Sequence, residues 1–403
     1  MNSNLMTPTE RRASGTLASI FALRMLGMFL VLPVFAIEAA RYPGGTDASL
    51  VGLTMGLYGL TQAALQLPFG LASDRLGRKR VIVAGLLVFA LGSFVAGAAD
   101  TLQGLMIGRA LQGAGAVSAA VTALLADLTR DSVRTKSMAL VGASIGLMFA
   151  LSLVAAPLLN SWMGLSGLFV FTGALALIGI AVVIWAVPPE PTKHADLPRG
   201  GLGQVLRDAA LIRMNVGVFI LHAVQMAMWL ALPAMLVEAG IAKEHHWWVY
   251  LPAVLASFVV MGMTLFPLEK RGYLRAVFLV AIGTVALVQL GLLGVAASLA
   301  DSAPGLRLGC LSALLFLFFC GFNVLEASQP SLVSKLSPAH AKGAAMGVYN
   351  TLMSFGLFAG GAMGGLVLKS YGVTGLFLTG ALLMGLWLGV AWPMRQPRTQ
   401  ASN

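Results

Sequence analysis

The sequence predicts an all-α membrane protein of twelve transmembrane helices in two pseudo-symmetric six-helix bundles. Three observations predict it. Twelve runs are long and apolar enough to cross a bilayer, a single long polar connection divides them six and six, and short stretches of the first half recur in the second. Composition agrees. The 403 residues are 58% hydrophobic and 10% charged, whereas a soluble chain needs about a quarter of its residues charged. Mean hydropathy is +0.87. Too little polar surface exists for a water-facing shell, so much of the exterior must face lipid.

The first bundle is expected over residues 1–187. Span 1 (17–37) follows a polar start with no small-residue cleavage site, so no removable signal peptide is expected. Span 2 (50–73) stops abruptly in "GLASDRLGRKR" (70–80), a turn dense in charge. Spans 3 (81–99), 4 (102–126), 5 (137–159) and 6 (165–187) complete the half. A cytoplasmic linker is expected over 188–210, rich in proline, glycine and mixed charge. The second bundle, 211–403, holds spans at 211–237, 248–268, 274–299, 305–334, 343–368 and 373–394. "SDRLGRKR" (73–80) aligns with "LEKRGYLR" (268–275), matching Asp74 to Glu269, Gly77 to Gly272 and Arg80 to Arg275. Parallel six-span repeats of this kind are one architecture of secondary transporters.

Charge sets the orientation. Of 26 Lys and Arg, twenty fall on the side of both termini, four on the opposite side, and Arg24 and Arg109 inside spans. Both termini are therefore expected in the cytoplasm of a bacterial-type inner membrane. The net charge of +11 then serves topology rather than nucleic acid. Cys310 and Cys320 share one run about 15 Å apart along a helix, too far to bridge. No His/Cys cluster points to a metal and no nucleophile–base set to an enzyme. No cofactor is expected beyond a proton gradient as energy source. The expected partners are the bilayer, protons and a small-molecule substrate, acting on a monomer.

The motifs narrow this further. "GLASDRLGRKR" fits G-x-x-x-D-R-x-G-R-[RK]-x, the loop signature of the major facilitator superfamily, and "IGRALQGAGA" (107–116) fits its span-4 signature R-x-x-Q-G-x-G. "LRMLGMFLVLPVF" (23–35), "YGLTQAALQLPFGLASDR" (58–75) and "FNVLEASQPSLVSK" (322–335) resemble the YajR-type branch of drug:proton antiporters. The resemblance implies the twelve-span fold of that family and makes Arg109 part of proton coupling, the alternative being an arginine that organises carbonyls and holds spans together. One departure stands out. The antiporter motif G-x-x-x-G-P-x-x-G-G meets "GLMFALSLVAAPLLN" (146–160), where only Gly146 and Pro157 survive.

Individual residues define candidate roles. Gly70, Asp74, Arg75, Gly77 and Arg78 form the turn between spans 2 and 3. The turn is a positive-inside anchor, and it is also a gate if Asp74 docks on the positive helix end of span 11 and Arg75 and Arg78 pair with Asp127. Glu326 is the only carboxylate well inside a span, with Asn323 a turn away. It is the candidate for coupling protons to transport, the alternative being a permanently paired structural carboxylate. His222, in "FILHAVQMAMW", is a proton relay or a neutral cross-helix hydrogen bonder, with Gln225 and Trp229 near its face. Arg24 snorkels or faces a cavity that favours anions. Tyr58, Gln62 and Gln66 recur every four residues, a stripe for interhelical bonds or for ligand, and Gln112 sits beside Arg109. Gly360/Gly364 and Gly361/Gly365 are small-xxx-small pairs for close packing of span 11.

The expected function is proton-coupled export of small amphipathic organic compounds, a multidrug efflux antiport by alternating access. The alternative is a proton symporter importing a nutrient or organic anion, which the altered span-5 motif and Arg24 and Arg109 favour. A non-transporting receptor or scaffold is a third class; it needs a sizeable interaction domain, and none is expected. Reporter fusions test the orientation: reporters active only in the cytoplasm should work at both termini and fail when inserted after Lys243. A terminus that reports from outside overturns it.

Overall fold

The computed structural model describes residues 5–190, 202–298, 303–338 and 341–394. Residues 191–201 of the expected linker and the basic residues Lys193, Arg199, Arg395 and Arg398 lie outside them. All regular secondary structure among the described residues is helical, without strand. Hydrocarbon offers the backbone no partners, so each segment must satisfy its own N–H and C=O groups.

Thirteen α-helices follow in order: α1 (Pro8–Phe29), α2 (Leu32–Glu38), α3 (Ala48–Leu76), α4 (Arg78–Gly97), α5 (Leu102–Ala114), α6 (Ser118–Asp127), α7 (Asp131–Ala181), α8 (Leu202–Val205), α9 (Ala209–Glu238), α10 (Trp247–Lys270), α11 (Leu274–Ser298), α12 (Pro304–Leu336) and α13 (Lys342–Ala391). Ten segments among the described residues are long and apolar enough to cross a membrane. Two of them, in α7 and α13, run for about fifty residues. Each is interrupted by one glycine outside helical geometry, Gly164 at φ 66°, ψ −178° and Gly372 at φ 66°, ψ −168°. Only glycine adopts such angles freely. Dividing α7 and α13 there gives twelve crossings, in line with the sequence expectation. The same hinge therefore stands at the same place in each half, as the repeat implies.

Two expectations for single helices change in detail. Span 1 breaks between α1 and α2 at Leu30–Val31, and span 4 breaks between α5 and α6 at Gly115–Val117. The chain forms two compact units, residues 1–46 with 53–197, and residues 47–52 with 198–403. The hexapeptide 47–52, expected in the first bundle, groups with the second. There the Gly52 backbone lies against Gly361 and Gly365, and Lys369 Nζ donates to Asp47 Oδ2 at 2.6 Å. That ammonium and the Ser49 hydroxyl hold the Asp47 carboxyl well below the usual carboxylate range.

Within the first unit, α1 opens on a capping box: Glu10 N donates to Thr7 Oγ1 and Thr7 N donates to Glu10 Oε2. Arg130, in the turn before α7, grips the same carboxylate through Nε at 2.8 Å and Nη2 at 2.9 Å. At the other end, Asn160 Nδ2 donates to Glu38 Oε1 at 2.9 Å, tying α2 to α7. Within the second unit, α9 is enclosed on most of its surface. It meets α13 along Gly356, Gly360 and Gly364, where added side chains would strike Phe219, Ala223 and Ala227 of α9. The small-residue spacing in span 11 thus brings two backbones together. Outward faces carry exposed Leu87, Leu91, Val280 and Leu382, as a lipid-facing surface requires.

The α9–α13 contact predicts a measurable asymmetry. Gly360→Leu drives a side chain into the Ala223 backbone and should cost at least about 1–3 kcal/mol, read as a lowered unfolding temperature in detergent. Gly283→Leu on α11, where nothing lies within 4 Å, should leave that temperature unchanged.

Candidate functional site

The first unit contains a buried polar cluster built from four spans. Tyr58, Gln62 and Gln66 lie one turn apart on α3 and are all at most 2% exposed. They face protein, not lipid. Arg24 reaches them from α1 and does not snorkel. Its Nη2 donates to Tyr58 Oη and to Gln62 Oε1, each at 2.9 Å, and its Nη1 donates to Ser118 Oγ at 2.9 Å. Ser118 is available because span 4 breaks just before it, so α6 opens with its hydroxyl beside α1.

Arg109 approaches the same tyrosine from α5. Its Cζ lies 4.8 Å from the Tyr58 ring centroid, and that of Arg24 lies at 6.0 Å, so one aromatic ring serves two cations. Arg109 Nη1 donates to Gln112 Oε1 at 2.9 Å, and Gln112 Nε2 donates to Ser93 Oγ of α4 at 2.8 Å. Gly113 makes this approach possible, because a Cβ there would strike the Tyr58 carbonyl. Both arginines are 1% exposed. Every hydrogen bond they make among the described residues is to a neutral group, and each keeps an unpartnered Nε. Two buried positive charges without a carboxylate are costly in a low-dielectric interior.

The second unit contains the acid–base pair. His222 of α9 and Glu326 of α12, 104 residues apart in sequence, come together with Nε2 and Oε2 at 3.5 Å. His222 is 5% exposed, and the Glu326 side chain is one-third exposed. His222 Nδ1 lies 2.9 Å from the Val218 carbonyl oxygen. A carbonyl only accepts, so Nδ1 carries a hydrogen. In the neutral ring Nε2 is then the bare nitrogen, and it faces the carboxyl group. The pair can hold no proton, one shared proton or two. Phe322 closes one side, its ring centroid 6.2 Å from that of His222. Asn323 Nδ2 donates to Ser257 Oγ of α10 at 2.8 Å. Gln225 and Trp229 are buried on α9, and Trp229 packs edge-on against Tyr250 at 5.6 Å.

The turn from Gly70 to Arg80 is strapped within the first unit. Arg78 Nη1 pairs with Asp74 Oδ1 at 2.5 Å and its Nε with Asp127 Oδ2 at 3.1 Å. Ser73 Oγ accepts from the same guanidinium at 2.7 Å and donates to the Gly70 carbonyl. Arg75 lies exposed at the end of α3. Gly77 separates α3 from α4 at φ 100°, and its repeat partner Gly272 sits at φ 83°. Glu190 then caps α4, accepting from the backbone N–H of Arg78 at 3.0 Å and of Lys79 at 2.5 Å. A carboxylate at a helix N-terminus satisfies free donors and meets the positive end of the helix dipole.

Sequence reasoning missed Glu190. Its only signal was an acid placed on the same side as the turn, just after span 6. It also missed Ser93, Ser118, Ser257 and the Tyr349–Gln329 hydrogen bond at 3.3 Å, because small polar residues in spans carry no spacing signature.

Comparison with known proteins agrees with this architecture. The family model of the Major Facilitator Superfamily matches residues 17–361. The inner membrane transport protein YajR of Escherichia coli is 42% identical over 401 residues, covering 98% of this chain and 86% of that protein. The multidrug resistance protein MdtH of Yersinia enterocolitica is 29% identical over 350 residues, covering 84% of this chain and 82% of that protein. A crystal structure of a bacterial homologue of the human lysosomal transporter Spinster aligns with TM-score 0.73 at 11% identity, covering 96% of this chain and 97% of the other. That likeness speaks to fold alone. A family match over most of the length, with a relative 42% identical, places the chain in the Major Facilitator Superfamily as an integral membrane transporter rather than an enzyme.

Proposed function

We propose that the protein is a proton-coupled exporter of small amphipathic organic compounds in a bacterial inner membrane, working by alternating access. The observation that carries this reading is the His222–Glu326 pair, 3.5 Å apart within the second unit. A transporter needs a group whose state changes its affinity for substrate between conformations. Without a bound proton the pair carries one negative charge, and its carboxylate accepts hydrogen bonds or attracts a cationic group. With one proton it is neutral and releases such a substrate. Proton and substrate then compete, which is the logic of antiport. The multidrug name of a relative 29% identical supports export.

The second reading, a symporter for an organic anion, is favoured by Arg24 and Arg109. Both are buried cations whose described partners are neutral, so a negatively charged substrate would lower their cost. In proteoliposomes, an outward-directed substrate flux driven by an inward proton gradient supports antiport. Accumulation of an anion in the direction of the proton gradient supports symport.

The coupling role has its own test. For ligands found by thermal-shift screening, competition with one proton makes affinity rise up to about tenfold per pH unit across the titration of the pair. Glu326→Gln should abolish that slope while leaving the protein folded. An unchanged slope in the variant removes Glu326 from coupling.

A further inference from the structure

A groove of about 360 Å³ opens within the second unit. It runs between the first turns of α9, the start of α13 and the end of α13, with Leu206, just after α8, among its lining residues. Leu206, Ile212, Val216, Val348 and Leu386 give it almost purely hydrocarbon walls. Leu206, Ile212 and Leu386 are also exposed on its outer edges, so the groove is open to the surroundings rather than sealed.

Two features separate it from an ordinary greasy surface. One is a buried amide. Asn215 lines the groove, is 7% exposed, and has an Oδ1 with no hydrogen-bond partner. It lies six residues into α9, about 9 Å along the axis from the helix start. Turning the carboxamide over exchanges Oδ1 for Nδ2 and presents a donor in the same place. The other is charge next to the wall residues in the chain. Leu206 is followed by Arg207 and Ile212 by Arg213, and neither guanidinium has an ion pair among the described residues. The intervening carboxylate, Asp208, is engaged in capping α9 through Ala210 N at 2.8 Å and Leu211 N at 3.0 Å.

Apolar walls, a polar group about 9 Å along α9 from its start and two cations adjoining wall residues in the chain form a graded sequence. It matches the grading of a phospholipid: hydrocarbon chain, ester carbonyls, then anionic phosphate. We propose that this groove binds one anionic phospholipid from the leaflet on the basic side, which the charge bias assigns to the cytoplasm. Its acyl chain lies against Val216 and Val348, Asn215 Nδ2 donates to an ester carbonyl, and Arg207 and Arg213 hold the phosphate. Basic rims between membrane helices are suited to such headgroups. The site is separate from the His222–Glu326 pair and does not depend on the direction of transport.

The test uses full-length protein, delipidated in mild detergent and incubated with dioleoyl-phosphatidylglycerol or dioleoyl-phosphatidylcholine. Native mass spectrometry counts retained lipids and thermal unfolding measures stabilisation. The wild type should retain one phosphatidylglycerol several-fold better than phosphatidylcholine, with a higher unfolding temperature. The double variant Arg207→Gln/Arg213→Gln should lose the preference without a change in the lipid-free unfolding temperature. Val216→Phe, which fills the groove, should lose retention of both lipids. Equal retention of the two lipids by the wild type overturns the proposal, as does a preference that survives the double variant. Displacement by glycerol 3-phosphate, which has no chains, would assign the arginines to a soluble anion instead and also overturn it.

Discussion

A polar side chain in hydrocarbon has only other protein groups to turn to, and the architecture follows from that scarcity. Arg24 draws on three spans at once, from α1 to α3 and α6. Arg109 draws on Gln112, and through it on Ser93 of α4. His222 and Glu326 join α9 to α12, and Asn323 and Ser257 join α12 to α10. Each of these contacts fixes a rotation of one helix against another. Apolar packing alone would leave that rotation loose, because lipid tails are as apolar as leucine. The same few residues therefore set both the register of the helices and the placement of the charges.

Glycine supplies the complementary device, proximity. Gly113 lets α5 close on the Tyr58 backbone, and Gly360 lets α13 close on Ala223. Close backbones shorten the reach needed by the polar side chains beside them. The interrupted helices add a second effect. The break at Gly115–Val117 divides span 4 so that Arg109 and Gln112 belong to one segment and Ser118 to the next, and both halves contribute to the first unit's cluster.

Much of the fold was legible in the sequence because lipid imposes a simple pattern on it. A run of about twenty apolar residues needs no partner to be recognised, and the glycine-centred turn at 70–80 announced its repeat at 268–275. The spacing of Tyr58, Gln62 and Gln66 correctly placed them on one buried face. Partnership was less legible. The sequence offered two destinations for Arg24, and the choice of the interior depends on Tyr58 and Gln62 facing it across helices and on Ser118 lying just beyond a helix break. Glu190 was invisible for a similar reason. Its role depends on where span 6 ends relative to Gly77, more than a hundred residues earlier. The grouping of residues 47–52 with the second unit also escaped, because it rests on backbone contact at Gly52, where no side chain advertises it.

The Val218 carbonyl has a consequence of its own. By occupying Nδ1 it closes one of the two doors of the imidazole. A histidine that passes protons onward needs both nitrogens, one to receive and one to deliver. His222 has only Nε2 to trade with, and that nitrogen looks at Glu326. The ring thus turns one nitrogen to its own helix and the other to its neighbour across the helix interface. The carboxyl is the more accessible partner, the Glu326 side chain being one-third exposed while that of His222 is almost fully enclosed.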